Sequence, residues 1–373
     1  MKSGGFLKSS WTLVGILVGA GIIGMPYVIQ KAGFLTGILV MAIVSILMTL
    51  INLYLGEIII STKEKHQLTG YAEKYLGNKG KWAMFLANVL SIYGAMVAYM
   101  IGAGYALNAL FPGDKFVYSI VFFVFFSIMI YFSINIISNA EYLLSPLKFI
   151  IVLLLGISLI PIINFSNIIE FNIRNIMIPY GVIVFGLTSV SAIPLMNEEL
   201  KNKKNMKKAI IAGMALSVFI YFIFSFSIIG AFGDNINEVV TVSFGKMGSL
   251  FNITANLFAL LAMSTAFLAL SFALKENYML DLKLKNSKSW ILTIIFPFII
   301  FLINPIGFIK ILEITGAIAI AFILIMIILM HNNIIKKRNR IPEYSMPKSF
   351  LIKFIILLIL IIGITYETII LLF

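Results

Sequence analysis

The sequence predicts an all-α, polytopic membrane protein, and three observations carry that reading. Of 373 residues, 61% are hydrophobic and 12% charged, where soluble domains run near half and a quarter. Apolar runs recur from end to end, most of them long enough to cross a hydrocarbon core of about 30 Å. Basic residues collect in alternate connections between those runs.

The runs give eleven spans: 9–31, 34–60, 81–111, 117–136, 143–164, 175–197, 208–232, 247–277, 289–303, 307–330 and 350–372. Span 1, within "SSWTLVGILVGAGIIGMPYVIQ", is apolar throughout yet gathers glycines and Pro26 near its midpoint. Span 2 is uninterrupted. The polar segment after it, "STKEKHQLTGYAEKYLGNKGK", predicts a short amphipathic helix capped by Thr69 and ending near Gly77. Span 3 is rich in small residues and span 4 in phenylalanine, while span 5 carries Lys148 near its start. Span 6 repeats the irregularity of span 1, with Gly186, Thr188, Ser189, Ser191 and Pro194 in "FGLTSVSAIPLMNEEL". Spans 7 to 9 follow, span 10 holds Glu313, and a basic loop leads into span 11. These units group as 1–165, 166–332 and 333–373; the polar segments are too short to bury a core of their own.

With the N-terminus inside, only Lys31, Lys115, Arg174, Lys246 and Lys310 of the 28 basic residues fall outside. That asymmetry satisfies the positive-inside rule. It predicts a multi-pass protein of the cell membrane with a cytoplasmic N-terminus and an outer C-terminus. The net charge of +13 follows from this topology, so no nucleic-acid partner is expected and the bilayer is the partner. Lys2 and Lys8 before an apolar stretch imitate a signal peptide, but no small-residue cleavage site precedes the glycines and further spans follow. The absence of cysteine excludes disulfides, thiolate catalysis and cysteine metal sites. His66 and His331 both fall in cytoplasmic segments, and no metal-ligand spacing or nucleophile motif accompanies them. No enzyme and no resident cofactor are expected.

Glycine costs a helix interior about 1 kcal/mol relative to alanine and proline about 3. Glycines alone have a packing explanation, and a proline alone can be a kink. Spans 1 and 6 carry both, five spans apart, and so cross in opposite directions. Interrupted helices in corresponding positions of two halves point to inverted repeats around a midplane binding site. Helix breaks free peptide groups that hydrocarbon cannot satisfy. The N–H groups near Ala20, Gly21 and Ile22 suit a carboxylate. The carbonyls of Val184, Phe185 and Gly186 suit an ammonium group, so together the two breaks suit a zwitterion.

Three stretches carry a family likeness. "GAGIIGMP" resembles the span 1 motif of the amino acid/polyamine/organocation superfamily. "FGLTSVSAIPLMNEELKN" resembles the span 6 motif of its amino acid/auxin permease branch. "LAMSTAFLALSFALKENYMLDLK" resembles the span 8 signature of the aromatic and hydroxy amino acid permeases, with Ala266, Ala269 and Ala273 departing from it. The resemblance implies a leucine-transporter-like fold of 5+5 inverted repeats with helices 1 and 6 broken. It implies secondary active import of an aromatic or other large neutral amino acid by alternating access, by a protein functional as a monomer. By the same resemblance, Gly19, Ala20, Gly21 and Ile22 bind the substrate carboxylate. Phe185, Gly186 and Leu187, with Ser189 beside them, face its amino group, and Gly94, Ala95 and Ala98 of span 3 line the pocket. Of Tyr93 and Tyr99, at most one faces it. Two couplings stay open: a proton carried by Lys148, or Na⁺ held by Gly15, Val18, Ser264 and Thr265. Exchange without ion coupling, and a non-transporting sensor on the same fold, are the further alternatives. Glu313 is a candidate outer gate with Lys31 or Lys310. Glu57 and Glu276, near cytoplasmic helix ends, are expected to be solvated.

Overall fold

A computed structural model describes residues 4–132, 137–303 and 307–372. Lys2 and the expected end of span 4 at 136 lie outside the described residues. All regular structure among the described residues is helical. Among the described residues, eight helices are long and apolar enough to cross a membrane.

The chain opens with α1 (Gly4–Leu17) and α2 (Ala20–Ala32), which lie 57° apart across residues 18–19. Only one residue, Gly33, separates α2 from α3 (Phe34–Ile60). Its φ of +86° is a conformation that side chains resist, and Glu170 O would lie 3.1 Å from a Cβ there. Gly77, at φ +81°, makes a similar corner between α4 (Leu68–Leu76) and α5 (Asn78–Leu110). The N-cap of α4 is Gln67, so Thr69 sits inside the helix with its hydroxyl buried rather than capping it. Then follow α6 (Lys115–Phe132), α7 (Ile137–Leu159), the short α8 (Tyr180–Gly186) and α9 (Ala192–Glu199), and α10 (Met206–Phe232). The last part holds α11 (Ser249–Asp281), α12 (Asn286–Ile303), α13 (Phe308–Ile314), α14 (Ala321–Asn332), α15 (Ile334–Lys337) and α16 (Phe350–Leu372). A π-helical turn, Thr315–Ile320, joins α13 to α14.

Burial sorts these helices into centre and rim. The most apolar stretch of α5 is 78% buried, whereas those of α12 and α16 are 22% buried. Helices that are apolar all round but unburied face lipid, so α12 and α16 form part of the outer wall. Within the centre, glycines set the closest approaches. An added Cβ on Gly316, in the π turn, would fall 1.9 Å from Gly181 O of α8. One on Gly94 of α5 would fall 2.0 Å from Thr315 Oγ1.

The carboxylate of Glu57 is not solvated as expected; it is 3% exposed and fully engaged. His331 Nε2 lies 2.9 Å from Oε2, Met346 N donates to Oε2 at 2.7 Å, and Ser345 Oγ donates to Oε1 at 2.7 Å. This fastens the 338–349 segment to the end of α3. Tyr344, donating to Leu53 O at 2.7 Å, and Arg340, donating to Ile60 O at 2.8 Å, add to the same seam.

Candidate functional site

A cavity of about 310 Å³ begins at the two helix interruptions and runs toward the lysine-rich end of the molecule. Its inner wall holds Gly19, Ala20 and Gly21 from the start of α2 and Phe185 and Gly186 from the end of α8. One face of α5 supplies Asn88, Ser91, Ile92, Ala95 and Tyr99, spaced as a helix requires. The facing stripe on α11 is Ala266, Ala269, Leu270 and Ala273, continuing to Glu276 and Asn277. Gln67 and Leu68 at the start of α4 stand at the mouth.

Beyond the interruptions, toward the other end, side chains close the interior. Gly24 packs so tightly that a Cβ would lie 2.8 Å from Leu312 Cδ1 and 3.3 Å from Phe308. Gly102 of α5 is likewise pressed against Met263 and Phe308. The cavity therefore communicates with one end only.

The interruptions touch. A Cβ on Gly21 would lie 2.2 Å from Gly186 Cα, backbone against backbone. Gly19 precedes α2 with φ −131° and ψ −143°, and no side chain caps the helix. The first-turn N–H groups at Ala20 and Gly21 thus meet the cavity with the positive end of the helix dipole behind them. The carbonyls opposite are partly used. Val184 O accepts from Thr188 Oγ1 at 2.6 Å, Phe185 O from Thr188 N at 3.3 Å, and Gly186 O from Tyr221 OH at 2.9 Å. Each carbonyl keeps a second lone pair. The fully buried Tyr221 hydroxyl of α10 also meets Leu17 O, the carbonyl that ends α1. One O–H proton therefore serves the last carbonyls of both α1 and α8.

Not every residue singled out in the sequence lies on this wall. Ile22 and Leu187 are buried behind it. Ser189 turns to α3, where its Oγ accepts from Asn52 Nδ2 at 2.8 Å, and Thr188 and Ser191 take the cavity side instead. Gly94 packs on Thr315, and Ala98 is buried away from the cavity, so Ala95 is the small residue of α5 that lines it. Tyr99 faces the cavity, while Tyr93 OH lies 2.7 Å from both Tyr278 OH and Leu292 O. Glu276 lines the cavity rather than standing in open solvent.

Among the coupling candidates, Lys148 is fully buried, on a helix that packs against both α1 and α11. It does not snorkel. Thr265 Oγ1 donates back to its own helix, with Leu261 O at 3.0 Å and Ala262 O at 3.1 Å. Gly15 and Val18 lie at the end of α1 and across the bend, and Ser264 is half-buried on α11. Glu313 lies 3.5 Å from Lys310 Nζ, which makes its shorter contact, 2.6 Å, with Glu367.

Tyr221 was not picked out from the sequence, and Ala266, Ala269 and Ala273 of α11 stood out there only as departures from a family signature, not as cavity lining. A lone tyrosine in an apolar span carries no signal. The stripe did carry one, since 266, 269 and 273 repeat at helical spacing.

A profile of the tryptophan/tyrosine permease family matches residues 2–369. Neutral amino acid transporter 9 of Xenopus tropicalis is 30% identical over 110 residues, covering 28% of this chain and 19% of that protein. Amino acid transporter AVT1H of Arabidopsis thaliana is 28% identical over 111 residues, 30% of this chain and 26% of that one. The chain thus matches well under a third of these relatives' lengths. A crystal structure of MhsT in complex with L-phenylalanine superposes with a TM-score of 0.71, covering 98% of both chains at 16% identity, which establishes a shared fold. The profile and these relatives describe transporters rather than enzymes. The match over nearly the full chain places this multi-pass membrane protein in the tryptophan/tyrosine permease family.

Proposed function

We propose that the protein is a secondary active transporter that imports a large neutral amino acid, aromatic by preference, through alternating access. The chain is read as eleven spans in two inverted repeats, with α1–α2 and α8–α9 as the interrupted pair. The observation that carries this is the contact between Gly21 and Gly186. It brings uncapped helix N–H groups and carbonyls with spare lone pairs to one cavity, which is what a carboxylate and an ammonium on one carbon require. Tyr99, Phe185 and Ile92 give the rest of the cavity apolar walls, and the alanines of α11 leave it width. The family's name and the phenylalanine held by MhsT favour an aromatic side chain in that space.

On the positive-inside reading, the lysine-rich end is cytoplasmic and this conformation is open inward. Release to the cytoplasm then passes Ser91, Ala273 and Gln67. Return to the outer side requires the packing around Gly24, Gly102 and Phe308 to part.

Coupling to protons is the better supported of the two ion readings. Lys148 sits, fully buried, between the helices that a sodium ion would bridge. An ammonium there supplies the positive charge itself, and its release and recapture of a proton suits a carrier cycle.

Proteoliposome uptake of a labelled amino acid panel, with pH and Na⁺ gradients imposed separately, tests this. Accumulation of tryptophan, tyrosine or phenylalanine driven by an acid exterior is expected, and loss of that drive in Lys148→Ala. Accumulation driven only by Na⁺ rejects the proton reading. Binding without accumulation under any gradient rejects the carrier.

A further inference from the structure

A second cavity, also about 310 Å³, lies at the lysine-rich end, between α14, α15 and the first turns of α16. Its polar lining is His331, Asn332, Lys348 and Lys353, and its apolar lining includes Phe354 and Leu357. Among the described residues, no acidic side chain lines it.

The nearest carboxylate is committed elsewhere. Glu57 accepts from Ser345 and Met346 as well as meeting His331 Nε2, so the imidazole presents an Nε2–H to it. The other ring nitrogen, Nδ1, is buried and has no hydrogen-bond partner among the described residues. Lys353, 7% exposed, donates to the neutral Asn332 Oδ1 at 2.6 Å and stands 5.5 Å from the centre of the Tyr54 ring. Neither Lys348 nor Lys353 has a carboxylate within 4 Å among the described residues. Two ammonium groups thus share one cavity whose opposite wall is hydrocarbon.

We infer that this crevice seats the phosphate of an anionic phospholipid. Lys348 and Lys353 meet the charge, and the acyl chains lie along α16. The surroundings favour a lipid over a free anion. Phe350 is 82% exposed and Phe354 51%, on a rim helix whose outer face is apolar along its length. A basic pocket where a helix enters the bilayer is where an anionic headgroup arrives with its chains already in place.

The purified full-length protein, offered equal amounts of phosphatidylglycerol and phosphatidylcholine with the same acyl chains, tests this by native mass spectrometry of the retained lipid. The wild type keeps phosphatidylglycerol in preference. Lys348 is exposed, so Lys348→Gln folds, and it lowers that preference about fivefold, as one interfacial lysine warrants. Lys207→Gln removes the same charge elsewhere on this end and leaves the preference intact. Equal preference in Lys348→Gln and wild type, or an equal loss in Lys207→Gln, overturns the site. Displacement of the lipid by excess inorganic phosphate overturns its assignment to a lipid.

Discussion

Two glycines of span 1 behave differently under the same substitution. At Gly19 an added Cβ meets Ala266 and Tyr99 at 3.5 Å, an ordinary contact, whereas at Gly21 it meets the backbone of Gly186 at 2.2 Å. Gly19→Ala should therefore fold normally and only crowd the cavity. Gly21→Ala must push the two interruptions apart, costing about 1–3 kcal/mol, and should abolish uptake. Melting curves and uptake of the two variants, run side by side, check the contrast. Tyr221→Phe keeps the ring but strips the proton shared by Leu17 O and Gly186 O. Two buried carbonyls then lose their donor, at about 1–3 kcal/mol, and the expected readout is a lower melting temperature with uptake falling further than stability alone explains. If Tyr221→Phe melts and transports like the wild type, the hydroxyl does not hold the breaks together.

At the scale of helices, the sequence foretold what local chemistry decides. Spans 2 and 11 begin and end where expected because turn and polar residues bound them, at Gly33 and Ser61 and at Ser349. The bend between α1 and α2 was legible because glycines with a proline recur in corresponding positions of spans 1 and 6, which helix packing or a lone kink does not require. What long-range packing decides was not legible. Glu57 looked like an interfacial carboxylate, and its partners lie at 331, 345 and 346, which no periodicity connects to it. Gly94 and Ala98 look as fit for the cavity as Ala95, and only the rotation of α5 against α13 and the π turn separates them. Glu57→Ala should strip His331, Ser345 and Met346 of an acceptor together. A loss of about 3–5 kcal/mol is expected for breaking such a buried charged network, with proteolysis newly admitted at 338–349. Nearby, on the exposed loop before α4, hydrogen bonds from Lys74 and Asn339 hold the Glu64 carboxyl down to about 2. That contact is complete above the ordinary carboxylate range and is lost as pH falls toward 2. Glu64→Gln should remove this part of the acid sensitivity of the fold.

For the molecule as a whole, one end is open and the other closed, and the absence of native cysteine makes this simple to probe. Ser191→Cys and Ala273→Cys, on the cavity wall, should react with a membrane-impermeant thiol reagent from the cytoplasmic side only. Leu312→Cys, packed against Gly24, should stay protected until an outward-facing state is populated. Labelling from the outer side at 273 but not at 312 would invert the topology.

The deepest test concerns the two charged ends of the guest. Competition against labelled tryptophan uptake by tryptophan, tryptophanamide, N-acetyltryptophan and tryptamine separates the carboxylate from the ammonium. If uncapped amides at Ala20 and Gly21 and carbonyls at Phe185 and Gly186 bind them, tryptophan alone competes and each blocked analogue loses at least about 100-fold. Equal competition by the amide or the amine would mean that the helix interruptions do not hold the substrate.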